Sequence, residues 1–257
     1  MSHKTFTVLG KPNHGSHVDP KINPNLENNP TVLNHLAYTL GLSPTLSFHD
    51  VYSLTDPDLL SLIPRPVHTL LAIIPLTNTW RESRLAEDKT RDYYDKAGAN
   101  EPVVWFKQTI PHACGTIGLL HCLCNGAAVD AVTPESALDQ LLKAAIPLPT
   151  AERAKILEQS APLYEAHEAA ARKSDSRTPQ LRDGERMGQH FVAFVKGRDG
   201  HLWELEGTRK GPIDRGVLEE GEDALSARAV ELGLGRLIER ERESGGDLRF
   251  SVVALAG

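Results

Sequence analysis

Residues 107–125 read Lys-Gln-Thr-Ile-Pro-His-Ala-Cys-Gly-Thr-Ile-Gly-Leu-Leu-His-Cys-Leu-Cys-Asn, and the rest of the chain is organised around them. Pro111 suits the first turn of a helix and not its interior, so extended chain gives way to helix at this point. Ile117, Leu119, Leu120 and Leu123 continue as a helix buried on more than one side. Cys114 stands at the start of that helix, where the positive end of the dipole and the unpaired N–H groups favour thiolate over thiol. Gln108, six residues upstream, offers a side-chain amide where a thiol hydrolase needs an oxyanion donor. Taken alone, a cysteine in such a place is more often an inert small hydrophobe than a nucleophile. The company it keeps along the chain shifts that balance.

Upstream of the segment, residues 103–106 read as a short strand feeding it, and residues 80–99 as a charged, solvated helix. Residues 67–74 (V-H-T-L-L-A-I-I) form a buried strand ended by Pro75. Asp56-Pro57 starts a short helix, and Asn29 caps a longer one begun by Pro30 and stopped by Gly41. Downstream, helices begin at Thr133-Pro134, Thr150 and Ala161-Pro162, the last reaching about Ala171. Residues 172–187 hold almost no apolar side chain and read as a mobile loop. Residues 190–195 (H-F-V-A-F-V) form a strand, Asp199-Gly200 a turn, and residues 202–205 its hairpin partner. A helix over about 224–242 and a core strand over 248–255 close the chain. Residues 1–24 are polar, rich in breakers and aperiodic, which predicts a disordered or inserted segment. His3, His14 and His17 within it lack a fourth ligand at a sensible spacing, so no metal site is expected. No repeat or linker divides residues 25–257, which predicts a single α+β domain there.

The chain has 257 residues, 40% of them hydrophobic and 24% charged, a composition with ample material for a core. No apolar run approaches the 18 or more residues of a membrane span, and the start Met-Ser-His-Lys does not read as a secretion signal. Its three cysteines, Cys114, Cys122 and Cys124, are clustered on one helix in an arrangement that makes no disulfide framework. A reducing compartment is expected, cytoplasmic and also nuclear. The net charge of −6 disfavours nucleic acid and mildly favours a basic partner.

A thiolate nucleophile needs an imidazole to move its proton and a third group to orient that imidazole. His190 begins a strand, and a hairpin with a loop over 196–200 would set it directly opposite Glu206, on the same face of the sheet. A slip of one residue would separate the two side chains. His121, two turns along the helix from Cys114, reads as a packed histidine, and Asp199, His201 and Asp214 read as turn or rim residues.

With these residues in place, three blocks resemble the active-site segments of the ubiquitin C-terminal hydrolases: Q-T-I-x-x-A-C-G-T-I-G-L-L-H at 108–121, H-F-V-A-F-V at 190–195, and D-G-H-L-W-E-L-E-G-x-R-K-G-P-I at 199–213. L-E-N-N-P at 26–30, S-P-T-L-S-F-H-D-V-Y-S-L at 43–54 and R-F-S-V-V-A-L-A at 249–256 are similar to other parts of that family. The resemblance implies a papain-like α+β cysteine hydrolase, a central, mainly antiparallel sheet flanked by helices, with a knotted chain path. It makes Cys114 the nucleophile, Gln108 the oxyanion donor, His190 the general base and Glu206 its orienting partner, with no metal or cofactor. The substrate implied is an amide, ester or thioester at the C-terminal glycine of ubiquitin. Small or unfolded leaving groups are favoured, because residues 172–187 would cross the site. Glu27 and Asp50 would meet ubiquitin's basic face, and His112 the entrance. The sequence departs from the family in carrying Glu206 for the usual aspartate, His112 for a common asparagine, and an insertion near 10–24. A ubiquitin-binding module with little or no catalysis, or a hydrolase preferring a ubiquitin-like modifier, remain the alternatives.

Overall fold

The run at 67–74 is apolar almost throughout because the strand it forms is covered on both faces. The computed structural model describes residues 28–111, 113–171 and 188–257. The expectations for residues 1–24, Glu27, His112 and the 172–187 segment, with its limit on leaving-group size, therefore lie outside the described residues. Along the chain the elements are α1 (Pro30–Leu40), β1 (Ser47–Asp50), α2 (Pro57–Leu60), β2 (Val67–Pro75), α3 (Asn78–Lys89), α4 (Cys114–Leu123), a 3-10 turn (Gly126–Ala131), α5 (Ala137–Ala145), α6 (Thr150–Gln159), α7 (Ala161–Ala171), β3 (Gln189–Lys196), β4 (His201–Leu205), β5 (Ile213–Val217), α8 (Ala227–Leu232), α9 (Leu234–Glu243) and β6 (Ser251–Ala256).

The strands form one sheet in the order β1-β6-β2-β3-β4-β5, with every pairing antiparallel. Alternation of period two sorts the side chains. Leu71, Phe191, Ala193, Val195 and Val253 pack with α1, α4 and α5 on one face, while Leu70, Ala72, Ile74, Val192 and Phe194 pack with α8 and α9 on the other. The expected α+β class holds, as three layers with the sheet in the middle. Asn29 caps α1 by accepting from the Thr31 N–H at 2.9 Å, and Gly41 ends it at a φ of 117° that a side chain would disfavour.

Four expectations need correction. Residues 103–106 belong to no strand, because side chains take their backbone hydrogen bonds, as described below. The helix foreseen over 80–99 is α3 alone, ending at Lys89, and no residue of it is fully buried. The single helix over 224–242 is two helices separated at Gly233, which has φ −106° and ψ −107°. The hairpin register lies two residues from the one expected: Val195 faces Trp203 and Lys196 faces Leu202. Its loop is shorter because Gly197 still donates to His201 O at 2.8 Å, leaving only residues 198–200 to turn. The ladder stops at Ala193–Leu205, so Glu206 is not paired opposite His190. A shift of two preserves the face, and the side chains still meet.

Candidate active site

Every residue of α4 is buried, against β3 and β2 on one side and α1 on the other. Ala113 precedes it without a side-chain cap, so the first-turn N–H groups around Cys114 have no such partner. The segment leading into α4 is held by side chains acting as surrogate strand partners. Asn125 accepts from Val104 N at 2.7 Å and donates to Val104 O at 3.0 Å, while His121 Nε2 accepts from Phe106 N at 3.0 Å. Arg153 donates to Trp105 O at 3.1 Å. This fixes the approach of Gln108, whose N–H donates to Gly207 O at 2.8 Å. A Cβ on Gly207 would stand 2.9 Å from the Gln108 Cβ and 2.8 Å from Ile117 Cγ2, so only glycine permits this approach.

The ends of β3 and β4 complete the cluster. His190 Nε2 lies 2.7 Å from Glu206 Oε1, and the ring lines the same cleft as the Cys114 side chain. With Nε2 committed to the carboxylate, Nδ1 is the nitrogen left for proton exchange. Burial opposes charge on His190, but the hydrogen bonds and negative charge of Cys114 and Glu206 outweigh it and lift its pKa to about 10. Burial likewise opposes charge on Glu206, yet His190, Arg84 and Thr208 together hold its pKa down to about 2. An imidazolium between a sulfur and a carboxylate is an arrangement suited to nucleophilic attack by thiolate.

Gln108, Cys114, His190 and Thr208 line one cleft of about 410 Å³ with Leu76, Trp80 and Arg84. Gln108 Nε2 spends one proton on Ile110 O at 3.2 Å, which leaves the other for an incoming oxygen. Cys114, His190, Glu206 and Gln108 are thus brought together. Asp50 is not: it is exposed on the edge strand β1, three strand spacings from β3, or roughly 15 Å. His121 is fully buried, and burial lowers its pKa to about 3, so it is a neutral hydrogen-bond acceptor. Burial raises Cys122 and Cys124 to about 12, which makes both inert. Asp199 accepts from His201 N and Trp203 Nε1 at the far end of the hairpin. Among the described residues no His/Cys/Asp/Glu group is arranged to hold a metal.

Three contributors were not foreseen from the sequence: Arg84 and Thr208 beside Glu206, and Trp80 beside His190. Arg84 Nε stands 2.9 Å from Glu206 Oε2, its N–H not aimed squarely at the oxygen. The Arg84 guanidinium lies 5.0 Å from the Trp80 ring, and Trp80 lies 5.8 Å from the His190 ring. Thr208 donates to Glu206 Oε1 through both its backbone N–H (2.7 Å) and its hydroxyl (2.6 Å). The spacing of Trp80 and Arg84, four apart, was the available signal that they share a helix face.

The profile of the family described as ubiquitin carboxyl-terminal hydrolase, family 1, matches residues 24–238, a span that holds all four of these residues. The chain belongs to that family. Within the ubiquitin carboxyl-terminal hydrolases, it is 34% identical over 232 residues to ubiquitin carboxyl-terminal hydrolase 3 of Arabidopsis thaliana, covering 90% of this chain and 92% of that protein. It is 33% identical over 233 residues to the human isozyme L1, covering 90% and 96%. Among solved structures, the catalytic domain of Trichinella spiralis UCH37, bound to ubiquitin vinyl methyl ester, matches with a TM-score of 0.66 over 90% of this chain and 94% of that one. At 19% identity that match speaks for a shared fold.

Proposed function

We propose that this chain is a thiol-dependent deubiquitinating hydrolase that cleaves amide, ester or thioester adducts at the C-terminal glycine of ubiquitin. The observation that carries the reading is His190, bonded to the buried Glu206 carboxylate at the wall of a cleft that Cys114 and Gln108 also line. The names of its relatives, and the ubiquitin vinyl methyl ester bound to the Trichinella protein, support ubiquitin as the substrate.

In this reaction the Cys114 sulfur attacks the glycine carbonyl carbon, and the oxygen gains negative charge. Gln108 Nε2 and the Cys114 N–H stabilise that oxyanion. His190 gives its proton to the leaving amine, alcohol or thiol as the scissile bond breaks, which leaves ubiquitin as a thioester on Cys114. Water then surrenders a proton to His190 and attacks the thioester carbonyl. The carbon–sulfur bond breaks, and ubiquitin departs with a free carboxylate. Glu206 holds the ring and stays ionised throughout. Asp50 and Glu27 are the contacts proposed for ubiquitin's basic face, with His112 at the entrance.

Turnover of a ubiquitin C-terminal coumarin amide tests the reading. The parent protein should release coumarin, and Cys114→Ala should reduce the rate to background while still binding ubiquitin. Substantial turnover by that variant would assign the nucleophile elsewhere.

A further inference from the structure

Glu206 carries one methylene more than an aspartate would, which adds a rotatable bond between backbone and carboxylate. A free glutamate side chain samples several rotamers, and few of them would bring an oxygen to the His190 ring. Here both oxygens are engaged. Oε1 meets His190 Nε2, Thr208 N and Thr208 Oγ1, all within 2.6–2.7 Å, while Oε2 faces Arg84 Nε at 2.9 Å. Arg84 also donates through Nη2 to Thr208 Oγ1, so the threonine hydroxyl accepts from the guanidinium and donates to the carboxylate. The guanidinium is itself held against Trp80, four residues back on α3.

The helix that delivers Arg84 is anchored by a second set of charges. Glu87 pairs with both Arg209 (2.7 Å) and Arg215 (2.5 Å), and Asp88 pairs with Arg209 at 3.0 Å. Both arginines reach on to Glu204 on β4, two residues before Glu206. α3 is thereby fixed to the strand that carries the carboxylate.

Resting on the thiol-hydrolase reading, we infer that Arg84 is a positioning residue that, with Thr208, locks Glu206 in the rotamer serving His190. The guanidinium touches neither Cys114 nor the reacting carbonyl in this account. It acts through the carboxylate.

A double-mutant cycle between Arg84 and Glu206 tests this, with folding of each variant checked by thermal melting. Arg84→Gln should lower kcat on the ubiquitin coumarin amide by about tenfold or more, with KM changed less than about threefold. Arg84→Lys, which keeps the charge, should recover part of the loss. In a Glu206→Gln background the same Arg84→Gln change should reduce kcat by less than about threefold, because the group it positions is already gone. Equal losses in the two backgrounds would overturn the inference and make Arg84 a direct substrate contact or a general support of the fold. Alkylation of Cys114 by iodoacetamide gives a readout that needs no ubiquitin. It should slow in Arg84→Gln and show the same non-additivity with Glu206→Gln. If the parent protein fails to cleave the ubiquitin amide but the alkylation cycle is coupled, the substrate reading falls and the positioning stands. If cleavage proceeds and both cycles are additive, the positioning falls alone.

Discussion

His190 keeps its proton far beyond the range of a free imidazole because its interactions with Cys114 and the Glu206 carboxylate outweigh its burial, and that sets how the site responds to pH. Its pKa lies at about 10, so the imidazolium persists through neutrality and is lost only as pH rises through that value. The alkaline limb of kcat/KM should therefore lie well above 6.5, the ordinary histidine value. Glu206→Gln removes the carboxylate's share of the upward shift while burial continues to pull the other way. That variant should lose about ten- to a thousandfold in kcat with KM little changed, and its alkaline limb should move to lower pH. A pH–rate series on the ubiquitin coumarin amide measures both; an unmoved limb with unchanged kcat would place the ring's partner elsewhere. At this scale most of the site was legible in the sequence. Cys114 and Gln108 lie in one continuous stretch. His190 and Glu206 emerged from strand parity, which survived a register two residues off. Arg84 did not emerge, because a charged residue on a helix with no buried position reads as solvated until its partner is seen.

Residues 103–106 look like a strand because they are apolar and extended, yet what they pair with is a set of side chains. Asn125, His121 and Arg153 make hydrogen bonds that a neighbouring strand would otherwise make. Local sequence carries no sign of such distant partners. Arg153 is wholly buried and ties this segment to the end of α5. It donates to Ala145 O at 3.1 Å and Leu148 O at 3.0 Å and pairs with the buried Glu101 at 2.5 Å. Arg153→Met would leave Glu101 buried with its Tyr94 hydrogen bond but no cation. Breaking one side of a buried pair in this way should destabilise the fold by about 3–5 kcal/mol. Urea unfolding measures it, and adding Glu101→Gln should recover part of the loss. A change below about 1 kcal/mol in Arg153→Met would mean that the backbone finds its own partners.

Taken as a whole, the molecule is an antiparallel sheet with helices on both faces, and the candidate site lies where the ends of β3 and β4 meet the start of α4. The α+β class and the central buried helix followed from hydrophobic runs long enough to need cover on two sides. The helix break at Gly233 and the early end of α3 did not follow, because tertiary packing sets them. Placing an uncapped helix start beside His190 makes Cys114 the thiol at the cleft, while Cys122 and Cys124 stay buried and protonated further along the same helix. The most direct test is to mix the protein with ubiquitin bearing a C-terminal vinyl methyl ester and map the adduct by mass spectrometry. A single covalent ubiquitin attached at Cys114, absent in Cys114→Ala and little changed in Cys122→Ser and Cys124→Ser, is the result predicted. No adduct from the folded protein, or an adduct at Cys122 or Cys124, would contradict the account.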